Sequence, residues 1–263
     1  MDKLFQEFKD YLILNGYSDL SYLSRLKFIS KNLDLNNLTQ EIVSNFIIIQ
    51  RKDKSANTMN NYLHTLKIFF KFKNLTIELP GSFKVDTKIP DYITPEYLDE
   101  KVIPTAECVF NRPERTKAIL LFLYYTGIRQ GEILKVKRKD IDLNNREVKL
   151  YQSKTKQERI TYFPLKVANA FSVYFLIEPE KDNAFNVTKC TLTNIFRTLK
   201  PHFKDINLRP LLFRHSIGSY LLKQGADIRK VQEFFGHKNI QSTLHYCNVN
   251  NADIKTMYDK FIK

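Results

Sequence analysis

Residues 209–246 decide how the chain is read. They open with Arg209-Pro210-Leu211-Leu212-Phe213-Arg214-His215-Ser216 and close with Phe235-Gly236-His237-Lys238-Asn239-Ile240-Gln241-Ser242-Thr243-Leu244-His245-Tyr246. Pro210, followed by an apolar run ending in Leu221-Leu222-Lys223-Gln224-Gly225, predicts a helix over 210–224. Proline suits a first helical turn, and glycine supplies the left-handed residue that ends one. A second helix over 227–235 stops at Gly236 by the same rule. Arg214 therefore lies inside one helix and His237 directly behind another. A lone tyrosine says little in a chain that has 14 of them. A Gly-His pair behind a helix, with a tyrosine nine residues further on, is far less common.

Upstream, Tyr125-Thr126-Gly127-Ile128-Arg129-Gln130-Gly131-Glu132-Ile133 follows a strongly apolar helix over 114–125 that Gly127 terminates. Taken alone, Arg129 reads as a surface charge or as a partner of Glu132. Val148 and Leu150 alternate with polar neighbours, as do Ile160 and Tyr162, so the polar residues 153–158 between them form a hairpin turn. That turn carries Ser153-Lys154-Thr155-Lys156, where exposed lysines are commonplace. Further helices are expected over 165–177, over 191–200 and near the C-terminus.

The first 73 residues read as four amphipathic helices, the arrangement of a small bundle. Leu4, Phe5, Phe8 and Leu12 share one face; Leu20, Leu23, Leu26, Ile29 and Leu33 repeat the pattern. Thr39 is the expected N-cap of a third helix and Ser55 of a fourth, which carries Met59, Tyr62, Leu63, Leu66, Phe69 and Phe70. Beyond residue 74 the periodicity fails, and Pro80-Gly81 and Pro90 mark a linker.

Together these segments resemble the catalytic domain of tyrosine recombinases, the phage-integrase and Xer-like family. The likeness rests on the order Arg, Lys, Arg, Gly-His, Tyr; on Thr-Gly-Ile-Arg-x-x-Glu-Ile; and on Arg-His-Ser followed by Leu-Leu and Gly-Ala-Asp-Ile. It extends to the N-terminal bundle, where Thr58-Met59-Asn60-Asn61-Tyr62-Leu63 looks like part of the family's core-binding domain. The resemblance implies a mainly α fold with a small β-sheet. A four-helix, SAM-like core-binding domain would span 1–75, a linker 76–93, and an α+β catalytic domain 94–263. It implies a site-specific recombinase or integrase, from a mobile element or a chromosome, acting through a covalent 3′-phosphotyrosine at Tyr246. Arg129, Lys154, Arg214 and His237 would complete the catalytic set, with Lys156 a weaker alternative for the acid.

The chemistry suits those residue types. Transesterification at phosphorus develops negative charge that a metal-free enzyme must meet with fixed cations, and the guanidinium groups of Arg129 and Arg214 stay charged and donate bidentately. A phenol oxygen that forms a phosphotyrosine stores the bond energy, so rejoining needs no ATP. A lysine on a hairpin turn can protonate the leaving 5′-oxygen, and the resemblance points to Lys154. His237 would hydrogen-bond the phosphate or help deprotonate the phenol. One position departs from the family pattern: relatives carry His three residues before the second arginine, where this chain has Leu211. Leucine cannot donate to a phosphate. Either a donor is missing here, or Leu211 packs into the core of a rearranged site. His202, twelve residues before Arg214, reads as structural or surface.

Composition agrees with a polyanionic partner. Lys and Arg outnumber Asp and Glu by 42 to 28, for a formal charge of +14, and the excess falls in both halves, so both are expected to touch duplex DNA. The resemblance implies a tetrameric synapse of two dimers, with accessory DNA-bending proteins as further partners. No cofactor or metal is called for. Three dispersed cysteines form no C-x-x-C pair, and His237, His245 and Cys247 lack the close paired spacing of a metal site. Asp140 and Asp142 read as a turn before Asn144-Asn145 and not as a nuclease centre. Apolar runs are too short to span a bilayer, and the N-terminus lacks a signal pattern, so an intracellular, cytoplasmic, DNA-associated protein is expected. The alternative function is a catalytically weak architectural or regulatory DNA-binding protein on the same fold, which only Leu211 favours. A topoisomerase or telomere resolvase would use related chemistry, but the compact size suits a recombinase.

Overall fold

In the computed structural model the chain forms two compact units, Met1–Lys88 and Ile89–Lys263; residues 2–17, 21–85, 92–152, 157–237, 239–244 and 246 are described. The architecture is mainly helical with one small antiparallel sheet, the expected class.

The first unit holds α1 (Asp2–Leu14), α2 (Ser21–Ile29), α3 (Gln40–Asp53) and α4 (Ala56–Lys73). Their apolar stripes meet in a core where Phe8, Leu26, Ile29, Val43, Leu66 and Phe69 are fully buried, as the i, i+3, i+4 spacing requires. Both expected caps are present: the hydroxyls of Thr39 and Ser55 accept from the Ile42 and Thr58 N–H groups, each at 3.3 Å. Helix α4 ends on Asn74 in the left-handed conformation (φ 53°), which asparagine tolerates. The chain beyond it, expected to begin a linker, folds back onto this unit. The Gln40 carboxamide donates to the Glu78 carbonyl at 3.0 Å and accepts from the Glu78 N–H at 2.8 Å. Asn60 does the same with Phe83, at 2.9 and 2.7 Å. A carboxamide offers donor and acceptor side by side and so pairs a peptide unit as a neighbouring strand would. This lets Ile77, Leu79 and Phe83 pack on the bundle without periodic structure.

In the second unit, α5 (Pro95–Tyr97) passes through a π-helical turn, Leu98–Val102, into α6 (Ile103–Val109). This segment was not evident from the sequence: two prolines interrupt it, and the extra residue of the π turn breaks the 3.6-residue spacing of Leu98, Val102, Ile103 and Ala106. Helix α7 (Pro113–Thr126) runs through the middle, packed against α6, α9 (Leu165–Ile177) and α11 (Pro210–Lys223). That position explains its apolar residues all round. The sheet has order β1-β2-β3, with β1 (Ile141–Asp142), β2 (Glu147–Gln152) and β3 (Gln157–Tyr162). Asp142 makes the expected turn, its Oδ1 accepting from the Asn144 and Asn145 N–H groups at 2.9 Å. Helices α8 (Gln130–Ile133), α10 (Lys189–Leu199), α12 (Ile228–Phe235) and α13 (Gln241–Leu244) complete the α-helices among the described residues. His202 is exposed on a 3-10 turn.

The β2–β3 hairpin keeps the expected alternation but distributes its faces unevenly. Val148 and Leu150 point inward and are buried, whereas Ile160 and Tyr162 are exposed, and the inward positions of β3 belong to Arg159 and Thr161, opposite Leu150 and Val148. An apolar strand face has been exchanged for a buried guanidinium.

The carboxamide strap of the first unit is testable. Asn60→Ala leaves the N–H and C=O of Phe83 without their partners, so urea unfolding should show a loss of about 1 to 3 kcal/mol. An unchanged midpoint would mean that water replaces the side chain at no cost.

Candidate active site

Arg214 is the centre of the site. It lies on the buried face of α11, only 3% exposed, where an unpaired charge would be costly. Its Nη1 donates to the Gly127 carbonyl. Nη2 donates to the Phe235 carbonyl at 2.9 Å and lies 2.9 Å from His237 Nε2. The Phe235 ring lies beneath the guanidinium, 4.5 Å from Cζ to ring centroid. Burial first, then the Arg129 charge, lower the Arg214 pKa to about 10, so the group remains charged at neutral pH.

Two helix ends supply these partners. Helix α7 stops at Gly127 with φ +54°, and a Cβ there would come within 2.2 Å of the Phe235 ring. Glycine is therefore required both for the conformation and for the contact. Helix α12 ends at Gly236 in the left-handed conformation. His237 follows, held at its backbone by Gln232, whose carbonyl accepts the His237 N–H at 3.0 Å and whose side chain donates to the His237 carbonyl at 2.9 Å. His237 Nδ1 faces the hydroxyl of buried Thr243 at 2.8 Å.

Tyr246 lies in the same cluster, 4% exposed. Its ring meets Phe235 and His215 with centroids 5.2 and 5.1 Å apart, and His237 at 6.0 Å. Gly218 on α11 makes room for it: a Cβ at that position would sit 2.8 Å from Tyr246 Cδ2. Burial raises the phenol's pKa, and the charge and hydrogen bond of Arg214 and the charge of Arg129 pull the other way without cancelling it. At neutral pH the hydroxyl keeps its proton.

Arg129 stands at the N-terminus of α8 (Gln130–Ile133), partly exposed. Nη1 pairs with Glu132 Oε1 at 2.9 Å and Nη2 reaches the Gly236 carbonyl at 3.5 Å. The pairing with Glu132 and a place at the cluster are thus not alternatives; both hold. Glu132 also binds Arg159, Oε2 to Nη2 at 2.9 Å, and Arg159 Nη1 donates to the Phe234 carbonyl at 2.6 Å. Burial pushes the Glu132 carboxyl up, but the Arg159 charge and the Arg129 hydrogen bonds outweigh it and hold the pKa below the usual range. Two guanidinium groups therefore share one carboxylate, and with Arg214 in the same cluster the site keeps a net positive charge that suits an anion.

Of the residues expected at the site, Arg129, Arg214, His237 and Tyr246 are brought together. Lys154 and Lys156 lie outside the described residues, as do His245, Cys247 and the expected C-terminal helix. Leu211 is 50% exposed and so is not part of the core. The sequence reading did not find Arg159 or Thr243. For Arg159 the available signal was strand parity with Leu150. For Thr243 no sequence signal separates a buried hydroxyl from an exposed one.

Residues 96–253 match the model of the phage integrase family. The chain belongs to the phage integrase family. Among curated relatives, the tyrosine recombinase XerA of Saccharolobus solfataricus is 30% identical over 81% of this chain and 70% of its own. The XerA of Thermococcus kodakarensis is 26% identical, with 98% and 95% covered. Among solved structures, the Tn1549 transposon integrase in complex with a circular intermediate DNA shares the fold, with TM-score 0.75 and 18% identity over 98% and 99% of the two chains.

In this phage integrase family member, burial first, then the charges of Arg214, Arg129 and Arg159, depress the His237 pKa to about 4. The unfolded ring takes its proton near 6.5. Between those values the unfolded chain binds more protons, so stability falls as pH is lowered from 6.5 towards 4. The His237 ring should stay neutral in an NMR titration until pH approaches 4, and His237→Gln should flatten the slope of stability with pH across that window. A ring that titrates near 6.5 would contradict the burial and the arginine field together.

Proposed function

We propose that this chain is a site-specific DNA recombinase that cleaves and rejoins strands by transesterification, with Tyr246 as nucleophile. The phenol oxygen attacks the phosphorus and the bond to the 5′-oxygen breaks, leaving a 3′-phosphotyrosine and a free 5′-hydroxyl. Attack by a 5′-hydroxyl on that phosphotyrosine rejoins the strand and restores the phenol. The observation that carries this reading is the packing of Tyr246 against the Arg214–His237 pair, inside the segment that matches the family. Arg214 and Arg129 stabilise charge on the non-bridging oxygens. Lys154, assigned by resemblance, protonates the leaving oxygen.

Around this chemistry we place duplex DNA as substrate, held by both units, consistent with relatives solved on DNA and with the basic excess in each half. The bundle is then the core-binding domain and residues 94–263 the catalytic domain, with four copies assembled on two paired sites, DNA-associated within the cell. No described helix is long and apolar enough to cross a membrane. The reading as an architectural protein without catalysis rested on Leu211 alone, and an exposed side chain beside an assembled cluster gives it no further support.

The test is a pool of randomised duplexes, each bearing a nick that lets the short 5′ product diffuse away, incubated with the protein in EDTA. A covalent adduct that survives denaturation should form with the native chain and disappear with Tyr246→Phe, while DNA affinity stays within about twofold. An adduct persisting in Tyr246→Phe would remove Tyr246 from the role.

Leu211 lies one turn before Arg214 on α11 and is half-exposed, so an imidazole there would be open to water and not buried. Leu211→His should speed single-turnover cleavage, by up to roughly a hundred- to thousandfold if it supplies a full donor to the developing charge. Melting temperature should be unchanged. A slower rate together with lowered melting would show that the site depends on leucine packing.

A further inference from the structure

We infer that Thr243 is a positioning residue that fixes the His237 ring and the Tyr246 backbone as one unit. The inference rests on the recombinase reading and names the group that holds two of its reacting residues in register.

Thr243 is fully buried, a placement that leaves a hydroxyl in need of a partner. Its Oγ1 lies 2.8 Å from His237 Nδ1. Its carbonyl accepts the Tyr246 N–H at 2.9 Å, and its own N–H donates to the Ile240 carbonyl at 2.7 Å. One residue thus touches the imidazole through its side chain and the nucleophile through its backbone.

The direction of the side-chain bond follows from the other face of the ring. A guanidinium only donates, so His237 Nε2, 2.9 Å from Arg214 Nη2, must accept. A neutral imidazole then carries its hydrogen on Nδ1 and gives it to Thr243. When a phosphate draws Arg214 away, the Thr243 contact is the one that keeps the ring in place, whether Nε2 then accepts a proton or gains one and donates. The backbone bond carries the same constraint to Tyr246, three residues on. Without the hydroxyl the ring loses the bond that fixes its Nδ1 edge and, once Arg214 is drawn away, is held only by its stacking on Phe235, while the nucleophile stays where the helix end puts it.

Thr243→Val removes the hydroxyl at nearly constant volume, and Thr243→Ser keeps it without the methyl. On the nicked-duplex substrate, Thr243→Val should cleave roughly tenfold more slowly, the scale of one lost hydrogen bond, with DNA affinity unchanged. Thr243→Ser should cleave within about twofold of the native rate. In the DNA-free protein, ¹⁵N NMR should find His237 protonated on Nδ1, with that proton protected from exchange in the native chain and in Thr243→Ser, and exposed to exchange in Thr243→Val. Native cleavage by Thr243→Val, an equal loss in both variants, or an Nε2-protonated ring in the native chain would each overturn the assignment. If Thr243→Val does not fold, the native ring and Thr243→Ser still decide it. If the native chain forms no adduct, the recombinase reading fails, while the NMR arm still tests the hydroxyl contact.

Discussion

A guanidinium buried in an apolar interior must find fixed oxygen or nitrogen acceptors, because desolvating it without them costs several kcal/mol. Arg214 meets that constraint by drawing on backbone carbonyls at the ends of two helices, Gly127 behind α7 and Phe235 at the end of α12, and on the imidazole that follows α12. The demands of one side chain thereby fix the relative placement of three helices. Replacing it with an apolar residue would leave those carbonyls without a donor, which makes the arginine structural as well as available to a phosphate.

Phe235 forms the second half of the same constraint. Its ring touches the Arg214 guanidinium, His237 and Tyr246, and two glycines, Gly127 and Gly218, exist in a form that only their missing Cβ permits. The apolar floor and the polar cluster are built by one residue, its ring below and its carbonyl at the side. A floor of this kind excludes water from beneath the charges and so strengthens their field at the open side of the site.

Much of this was legible in the sequence because it is written in local rules. Thr39 and Ser55 announce helix starts, Gly127 and Gly236 announce ends, and Asp142 with Asn144-Asn145 announces a turn. The order of Arg129, Arg214, His237 and Tyr246 was legible through family resemblance, since nothing local says that a helix over 113–126 and a turn at 236 will meet. What escaped was tertiary. The alternation of β3 is visible, but placing Arg159 inward and Ile160 outward depends on Glu132, 27 residues away, supplying a carboxylate to receive the guanidinium. The strap at residues 75–83 escaped because Gln40 and Asn60 replace strand pairing with side-chain amides, which leave no periodic trace. The helical stretch from residue 95 escaped because its π turn shifts the apolar register by one position.

The arrangement also sets what phosphate binding must exchange. Nη2 of Arg214 has two hydrogens, and both are taken, one by the Phe235 carbonyl and one by His237 Nε2; the Tyr246 hydroxyl draws on the same guanidinium. A phosphate oxygen that claims Nη2 must therefore displace either a carbonyl that anchors α12 or the imidazole. The carbonyl is fixed in a helix end, whereas the imidazole has a second bond to Thr243, so on the proposed reading the exchange would fall on His237. Burial first, then the charges of Arg214, Arg129 and Arg159, holds the ring neutral, and a bound anion would offset the arginine part of that field. On the proposed recombinase reading, a bound phosphate would make the imidazole a better proton acceptor and would favour loss of the proton from the phenol that packs near it.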